Sequence, residues 1–325
     1  MVKPVVFVTR RIPESGIDML RETCEVVVNG EDRVLSKEEL IEGVKGKDAL
    51  LCLLTDKIDA EVMDAGKSLK VIANYAVGFD NIDVEAATSR KIPVTNTPGV
   101  LTETTADLAW ALLMSAARRI VEGDRFTREG KYKGWSPMLL LGRDVYGKTL
   151  GIVGFGRIGE AMARRANGFS MQVIYYDENR RSPEEEERLG VRYVSFPELL
   201  AQSDFISVHV PLMEKTYHMF GPAEFAAMKK TAILINTARG PVIDEAALVE
   251  ALRKGDIAGA GLDVYEDEPL LKPGLADLDN VVLAPHIGSA SVETRTKMAT
   301  MAAQNVLAVL RGEVPPNILN REVFD

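Results

Sequence analysis

Residues 149–177 read TLGIVGFGRIGEAMARRANGFSMQVIYYD, and this stretch decides the fold. An apolar run, 149–156, ends in glycines, and Gly154, Gly156 and Gly159 stand in GxGxxG spacing. A helical pattern opens behind them. A second apolar run, 171–177, ends in Asp177, 18 residues after Gly159. GxGxxG alone is a weak signal. Preceded by a strand, followed by a helix and closed by an acid at the end of the next strand, it becomes the full dinucleotide fingerprint. Gly154 permits the tight turn, Gly156 lets backbone approach a pyrophosphate, and Gly159 lets helix and strand pack closely. The helix start, with Arg157 and Ile158 behind Gly156, offers unpaired N–H groups and a partial positive charge to phosphates. Asp177 is placed to accept hydrogen bonds from the adenosine ribose and to repel a 2′-phosphate, which favours NAD. Arg180 and Arg181, just past the strand, could instead hold that phosphate, so NADP stands as the alternative. Flavin proteins use the same fingerprint, usually near the N-terminus; here it is central.

Outward from this unit, short apolar runs alternate with helical patterns. On the N-terminal side, strands are expected at 5–9, 25–29, 49–54, 71–76 and 92–96, with helices near 14–22, 36–44, 59–66 and 83–90. A longer helix starts around Thr102 and Glu103 and keeps helical apolar spacing from Leu108 to Val121. Residues 122–147 read as a polar, glycine-containing loop. Further strands are expected at 205–210, 231–237, 259–264 and 280–285, then a helix at 291–311 and a loop-like tail. The run 184-EEEER reads as a solvated helix face. Alternating strands and helices with solidly apolar strands give parallel sheets covered on both faces, an α/β fold with two such units in series. The final helix is expected to return to the first unit.

With 325 residues, two domains are expected. The composition, 46% hydrophobic and 27% charged, is that of an ordinary globular protein with ample core. The net charge of -9 gives no basic face for a nucleic acid. A phosphate-bearing cofactor must then be held by local amides. Cys24 and Cys52 lie in apolar runs and read as small buried hydrophobes; there is no Cys/His spacing for a metal. No apolar run is long enough for a signal peptide or a membrane span, so the cytoplasm is the default location.

Three consecutive strand ends on the C-terminal side carry chemistry. Arg239 follows 231-TAILINT, the acids of 265-YEDEP follow GAGLDV, and His286 follows NVVLAP. Ligands of α/β sheets bind at the carboxyl ends of strands. An arginine fork suits a carboxylate, and a histidine is the best proton donor near neutral pH. An acid beside it favours the imidazolium. Together they suit reduction of a 2-oxo acid, whose carbonyl oxygen takes a proton as hydride arrives. The plainer alternatives are a surface Arg239 paired with Asp244 or Glu245, and His286 as a core or capping residue. His209, just before Pro211, reads as lining the cofactor cleft, and His218 as a surface or helix-start residue.

At this point the sequence resembles the D-isomer-specific 2-hydroxyacid dehydrogenases over nearly its whole length. The matching stretches are 74-NYAVGFDNID, 97-TPGVLTETTADLAWALL, 147-GKTLGIVGFGRIG, 209-HVPLMEKTYHMF, 231-TAILINTARGPVIDEAALVEAL, 259-GAGLDVYEDEP and 281-VVLAPHIGSAS. The loop 130-GKYKGWSP and the ending 314-VPPNILNREVF look most like the glyoxylate/hydroxypyruvate reductase branch. The resemblance implies a discontinuous, flavodoxin-like substrate domain, 1–99 with 287–325, around a Rossmann cofactor domain, 100–286. It implies Arg239, Glu268 and His286 as the catalytic set. Leu53, the amides of Val77 and Gly78, Arg239 and His286 are implied to face the substrate. Thr105, the glycine loop, Asp177, His209, Pro211, Thr216, Thr237, Ala238, Asp263 and Gly288 are implied to face the cofactor. It also implies a homodimer through the cofactor domains, with Trp135 reaching the partner's substrate site. Related possibilities are a phosphoglycerate or phosphonate dehydrogenase, or an NADH-sensing protein of the corepressor type. The phosphoglycerate dehydrogenase kept as an alternative is a short one, since no regulatory C-terminal domain of the kind long phosphoglycerate dehydrogenases carry is expected here.

Overall fold

The computed structural model describes residues 3–325. The chain divides into two compact units, Met1–Leu101 with Ser289–Asp325, and Thr102–Gly288. The first holds strands β1 (Val5–Val8), β2 (Glu25–Val28), β3 (Ala49–Cys52), β4 (Val71–Asn74) and β5 (Val94–Thr95). Helices α1 (Glu14–Arg21), α2 (Lys37–Val44), α3 (Ala60–Ala65) and α4 (Val84–Ser89) alternate with them. The sheet is parallel in the order β2-β1-β3-β4-β5. That is the flavodoxin-like order.

The second unit begins with α5 (Thr102–Arg118) and α6 (Ile120–Arg128). It continues through β6 (Thr149–Val153), α7 (Arg157–Asn167), β7 (Gln172–Tyr176), α8 (Pro183–Leu189), β8 (Val191–Tyr193), α9 (Phe196–Gln202) and β9 (Phe205–Val208). Then follow α10 (Pro222–Ala227), β10 (Ile233–Asn236), α11 (Glu245–Lys254), β11 (Gly259–Leu262) and β12 (Val281–Leu283). Its parallel sheet runs β12-β11-β10-β9-β6-β7-β8, the doubly wound order that reverses beside β6. Strands β3, β4, β9, β10 and β11 are buried along their whole length, as expected where helices cover both faces.

The chain re-enters the first unit as α12 (Val292–Leu310), which packs on α1, β3 and β4. Small residues allow this. Ala299, Ala302 and Ala303 are buried at the contact, and a side chain in place of Gly16 would stand 2.6 Å from the Ala299 carbonyl oxygen. Asn305 of α12 donates to the Asn96 carbonyl, and beyond the helix Asn320 donates to the Ile92 carbonyl, which fixes the tail along β5.

Three local expectations change. The long helix stops at Arg118, because Arg119 takes a left-handed conformation with φ 53°, and α6 replaces part of the expected 122–147 loop. None of α6 is buried, and its few apolar residues, Ile120, Val121 and Phe126, stand among charges and Gly123, so the segment reads as loop; ion pairs Arg119–Glu122 and Asp124–Arg128 support the helix. The three-residue strand β8 is too short to leave a pattern. The 184-EEEER face is not wholly solvated: Glu186 is buried and accepts hydrogen bonds from the Tyr175 hydroxyl and from Arg180. Both cysteines are buried thiols, and burial pushes the Cys52 thiol up.

Candidate active site

Between β6 and α7 the backbone makes the turn that the glycine spacing demands. Gly154 has φ 90°, and a Cβ there would lie 2.7 Å from the His209 carbonyl carbon and the Val210 nitrogen. No side chain caps α7, whose N-cap is Gly156, so its first-turn amides are left for a ligand. Asp177 sits immediately beyond β7. One carboxylate oxygen accepts from the Phe155 amide at 2.7 Å, the other from the Asn179 amide at 2.8 Å. The acid therefore also braces the glycine loop. Arg180 is engaged elsewhere: it bonds Glu186 twice, at 2.8 and 3.0 Å, and lies over the Tyr193 ring. Arg181 donates to the Phe155 carbonyl at 3.0 Å. This loop, helix start and acid fit a dinucleotide.

Further members of the expected cofactor set shape the same unit. The Thr216 hydroxyl donates to the Pro211 carbonyl at 2.7 Å and accepts from the Met213 amide, closing the loop after β9. Thr105 is buried on α5, and the Thr237 hydroxyl is buried without a hydrogen-bond partner. His209 lies 2.8 Å from the Ser207 hydroxyl through Nε2, while its Nδ1 is buried and unpartnered. Burial pushes its pKa down to about 3, so it is a neutral imidazole. His218 is no helix-start residue. Half-buried at φ 49°, it stacks on Tyr217 and places Nε2 3.1 Å from Glu266.

Parallel pairing of β10, β11 and β12 brings their carboxyl ends to one edge. At the end of β10, the Asn236 side chain accepts from the Ala238 amide and donates to the Arg239 carbonyl, shaping the turn that carries Arg239. Asp244 caps α11 and Glu245 accepts from the amides of Glu266 and Lys272, so both acids weighed as partners for Arg239 hold other hydrogen bonds. Past β11, Glu268 reaches His286: Oε2 to Nδ1 is 2.9 Å. Its Oε1 accepts from the Tyr265 amide at 3.0 Å. Burial pushes the Glu268 carboxyl up. The hydrogen bond and charge of His286, the Tyr265 amide and the charge of Arg239 outweigh this and hold it below its ordinary value. Glu268 is therefore ionised, and Nδ1–H donates to it, leaving Nε2 as the other functional atom of the ring.

His286 itself has φ 53°, and its amide donates to the Asp263 carbonyl at 2.9 Å. The Asp263 carboxylate, only 1% exposed, accepts from the amides of Ile287 and Gly288, each at 2.7 Å. Burial nonetheless pushes this acid up. Tyr265 ties the two loops together, since its amide orients Glu268 and its hydroxyl donates to the Ala284 carbonyl at 2.8 Å. Tyr265 carries no sequence signal of this role; for Asn236 the signal is an asparagine at a strand end, with its habit of forming side-chain turns.

In the first unit, the carbonyls of Val77 and Gly78 accept from Asn96 and Asn74 at 2.8 Å. Their amides find no acceptor among the described residues. The Leu53 amide donates to Asp56 and its carbonyl accepts from Asn81. On the second unit, Trp135 is 83% exposed, with Met138 at 74% and Tyr146 at 72%. Among the described residues no cluster of His, Cys, Asp and Glu could hold a metal, and no helix is long and apolar enough to cross a membrane.

A doubly wound sheet with a dinucleotide loop and an Arg/Glu/His set at adjacent strand ends defines a nicotinamide-dependent dehydrogenase. Comparison with known proteins agrees. The family described as "D-isomer specific 2-hydroxyacid dehydrogenase, NAD binding domain" matches residues 110–288. A glyoxylate reductase of Korarchaeum cryptofilum is 59% identical over 99% of this chain and 97% of its own. A protein from Thermus thermophilus of known structure superposes with a TM-score of 0.92 at 49% identity, covering 97% of this chain and 99% of its own. An NADPH-dependent glyoxylate/hydroxypyruvate reductase of Sinorhizobium meliloti, solved with NADP and malonate, gives 0.87 at 33% identity, over 99% of this chain and 98% of its own. The chain belongs to the D-isomer-specific 2-hydroxyacid dehydrogenases.

Proposed function

We propose that this enzyme reduces a small 2-oxo acid, glyoxylate or hydroxypyruvate, to the 2-hydroxy acid with NADH. The observation that carries the reading is the 2.9 Å pair of His286 and an ionised Glu268 at the strand end next to Arg239. When bound at the glycine loop, the nicotinamide cofactor supplies the hydride. Arg239 holds and polarises the 2-oxo acid with a planar cationic fork. His286 gives a proton from Nε2 to the carbonyl oxygen, and Glu268 holds the ring in the matching orientation with its positive charge compensated. The amides of Val77 and Gly78 bind the substrate carboxylate, and Leu53 sets part of the pocket that selects among 2-oxo acids. Asp177 meets the adenosine ribose and selects NADH, a choice supported by the capture of Arg180 by Glu186. The names of the relatives support glyoxylate, and the Sinorhizobium neighbour supports hydroxypyruvate as a second substrate.

The exposed side chains of Trp135, Met138 and Tyr146 support a homodimer through the second unit, with Trp135 reaching the partner's substrate site. The units Met1–Leu101 with Ser289–Asp325 and Thr102–Gly288 then serve as substrate and cofactor domains. The location proposed is the cytoplasm, with no nucleic-acid or membrane partner.

The test is loss of reduced nicotinamide on purified protein, pairing NADH and NADPH with glyoxylate, hydroxypyruvate, pyruvate and phosphohydroxypyruvate. Turnover is expected with NADH on the first two. Turnover only with NADPH would overturn the role given to Asp177. Silence on all four would overturn the substrate class.

A further inference from the structure

Glu245, the first residue of α11, is a buried carboxylate that the chemistry above does not use; it is 3% exposed. Its two oxygens are spent on one object. Oε2 accepts from the Glu266 amide and Oε1 from the Lys272 amide, each at 2.8 Å. Glu266 returns the bond, its own carboxylate accepting from the Glu245 amide at 3.2 Å. Between these two anchored amides the chain makes a tight turn, closed by the Leu270 amide on the Asp267 carbonyl at 2.8 Å. Glu268 stands in that turn. The loop carrying Glu268 thus rests on one side chain at both of its feet.

The other face of the loop meets the turn that follows Arg239. A side chain at Gly240 would stand 1.8 Å from the Tyr265 carbonyl oxygen and 2.5 Å from the Glu266 nitrogen, so the two backbones are in direct contact. His218 closes the bracket. Its amide donates to the Pro241 carbonyl at 2.8 Å, and its Nε2 lies 3.1 Å from Glu266. Lys272 lies 3.6 Å from the same Glu266 oxygen and helps to compensate the paired acids.

We infer that Glu245, with Glu266 as its reciprocal partner, is a positioning residue that sets where Glu268 meets His286. This rests on the catalytic roles given above to Glu268 and His286. Misplacement of a catalytic group by even part of an ångström is costly, and the hydrogen bonds behind such a group decide its placement. Glu245→Gln keeps the size of the side chain. It replaces one accepting oxygen with an NH2 that cannot accept an amide N–H, so one foot of the loop is released.

The test is a double-mutant cycle on the full-length enzyme, measuring kcat for reduction of glyoxylate, with the NADH dissociation constant followed by fluorescence. Glu245→Gln is expected to lower kcat about tenfold in the parent background while NADH binding is unchanged. In the Glu268→Gln background the same change is expected to cost less than about twofold, because the group it positions is already gone. A purely structural role would give equal factors in both backgrounds, and that result, or an unchanged kcat in the parent, would overturn the inference. Should Glu245→Gln not fold, Glu266→Gln on the loop carries the same cycle, with the same non-additivity expected at smaller amplitude and additivity again fatal. If Glu268→Gln alone leaves turnover intact, the catalytic reading fails and this inference falls with it. A strongly impaired Glu268→Gln with additive factors defeats the inference alone.

Discussion

His286 is held at both ends, and the two ends do different things. Its backbone is pinned by Asp263, whose carboxylate also gathers the next two amides, while its ring is pinned by Glu268. The first fixes where the residue stands, the second which nitrogen is left for chemistry. His286→Ala should lower kcat on glyoxylate by about 10²- to 10⁴-fold at neutral pH, the range of a lost general acid, with the NADH dissociation constant retained. Stopped-flow turnover and fluorescence titration on the same preparation check both halves; near-normal turnover in a folded variant sinks the assignment. His209 makes a different prediction, one about stability. Unfolded, it takes up a proton below its ordinary 6.5; folded, only near 3. Between these values unfolding takes up a proton, so the fold weakens as pH falls, by up to about 1.4 kcal/mol per pH unit. In His209→Gln this contribution to the acid-side slope should vanish from urea unfolding midpoints measured across that window. An unchanged slope would place the proton uptake on another group.

At the level of elements, the glycine loop and the strand ends behave as pre-set geometry. Gly154→Ala faces two obstacles, a left-handed φ and the His209–Val210 backbone at 2.7 Å. It should cost about 1–3 kcal/mol of stability and should weaken NADH binding, since β9 and the loop must separate to admit the methyl group. Thermal unfolding and an NADH titration read the two effects; parent-like values for both would mean that this turn is not the cofactor's cradle. The loop itself was legible because its constraint is local: a glycine where φ must be positive, a helix without a cap, an acid one strand later. Helix α6 was not legible, because its few apolar residues, with Gly123 among them, read as a polar loop and none of them is buried. Nor was the commitment of Arg180 to Glu186. The run of four glutamates reads as a solvated face, and only the packing of α8 on Tyr175 shows that one of them is buried.

For the whole molecule, the two sheets explain why a chain interrupted after residue 101 and resumed at 289 is stable. Helix α12 completes the first unit with a seam of alanines against Gly16. The second unit carries Trp135, Met138 and Tyr146 in water, which is costly for an isolated subunit. Sedimentation should therefore find a dimer, and Trp135→Glu with Met138→Glu should shift it to monomer and lower turnover with it. A parent that sediments as a monomer would remove the proposed interface.

The sequence by itself determined the two-unit α/β fold and the cofactor class, and it set Arg239, an acidic loop and His286 at three successive strand ends. Each rests on a short-range pattern: apolar strands, glycine spacing, and charged residues directly past strand ends. Tertiary structure alone decided how those residues meet. The Glu268–His286 pair spans 18 positions, the Asp263 clamp 25, and the Glu245 bracket 21 and 27. Such contacts arise only once β10, β11 and β12 pair in register. A carboxylate's choice among nearby amides is set by packing, which no spacing along the chain encodes.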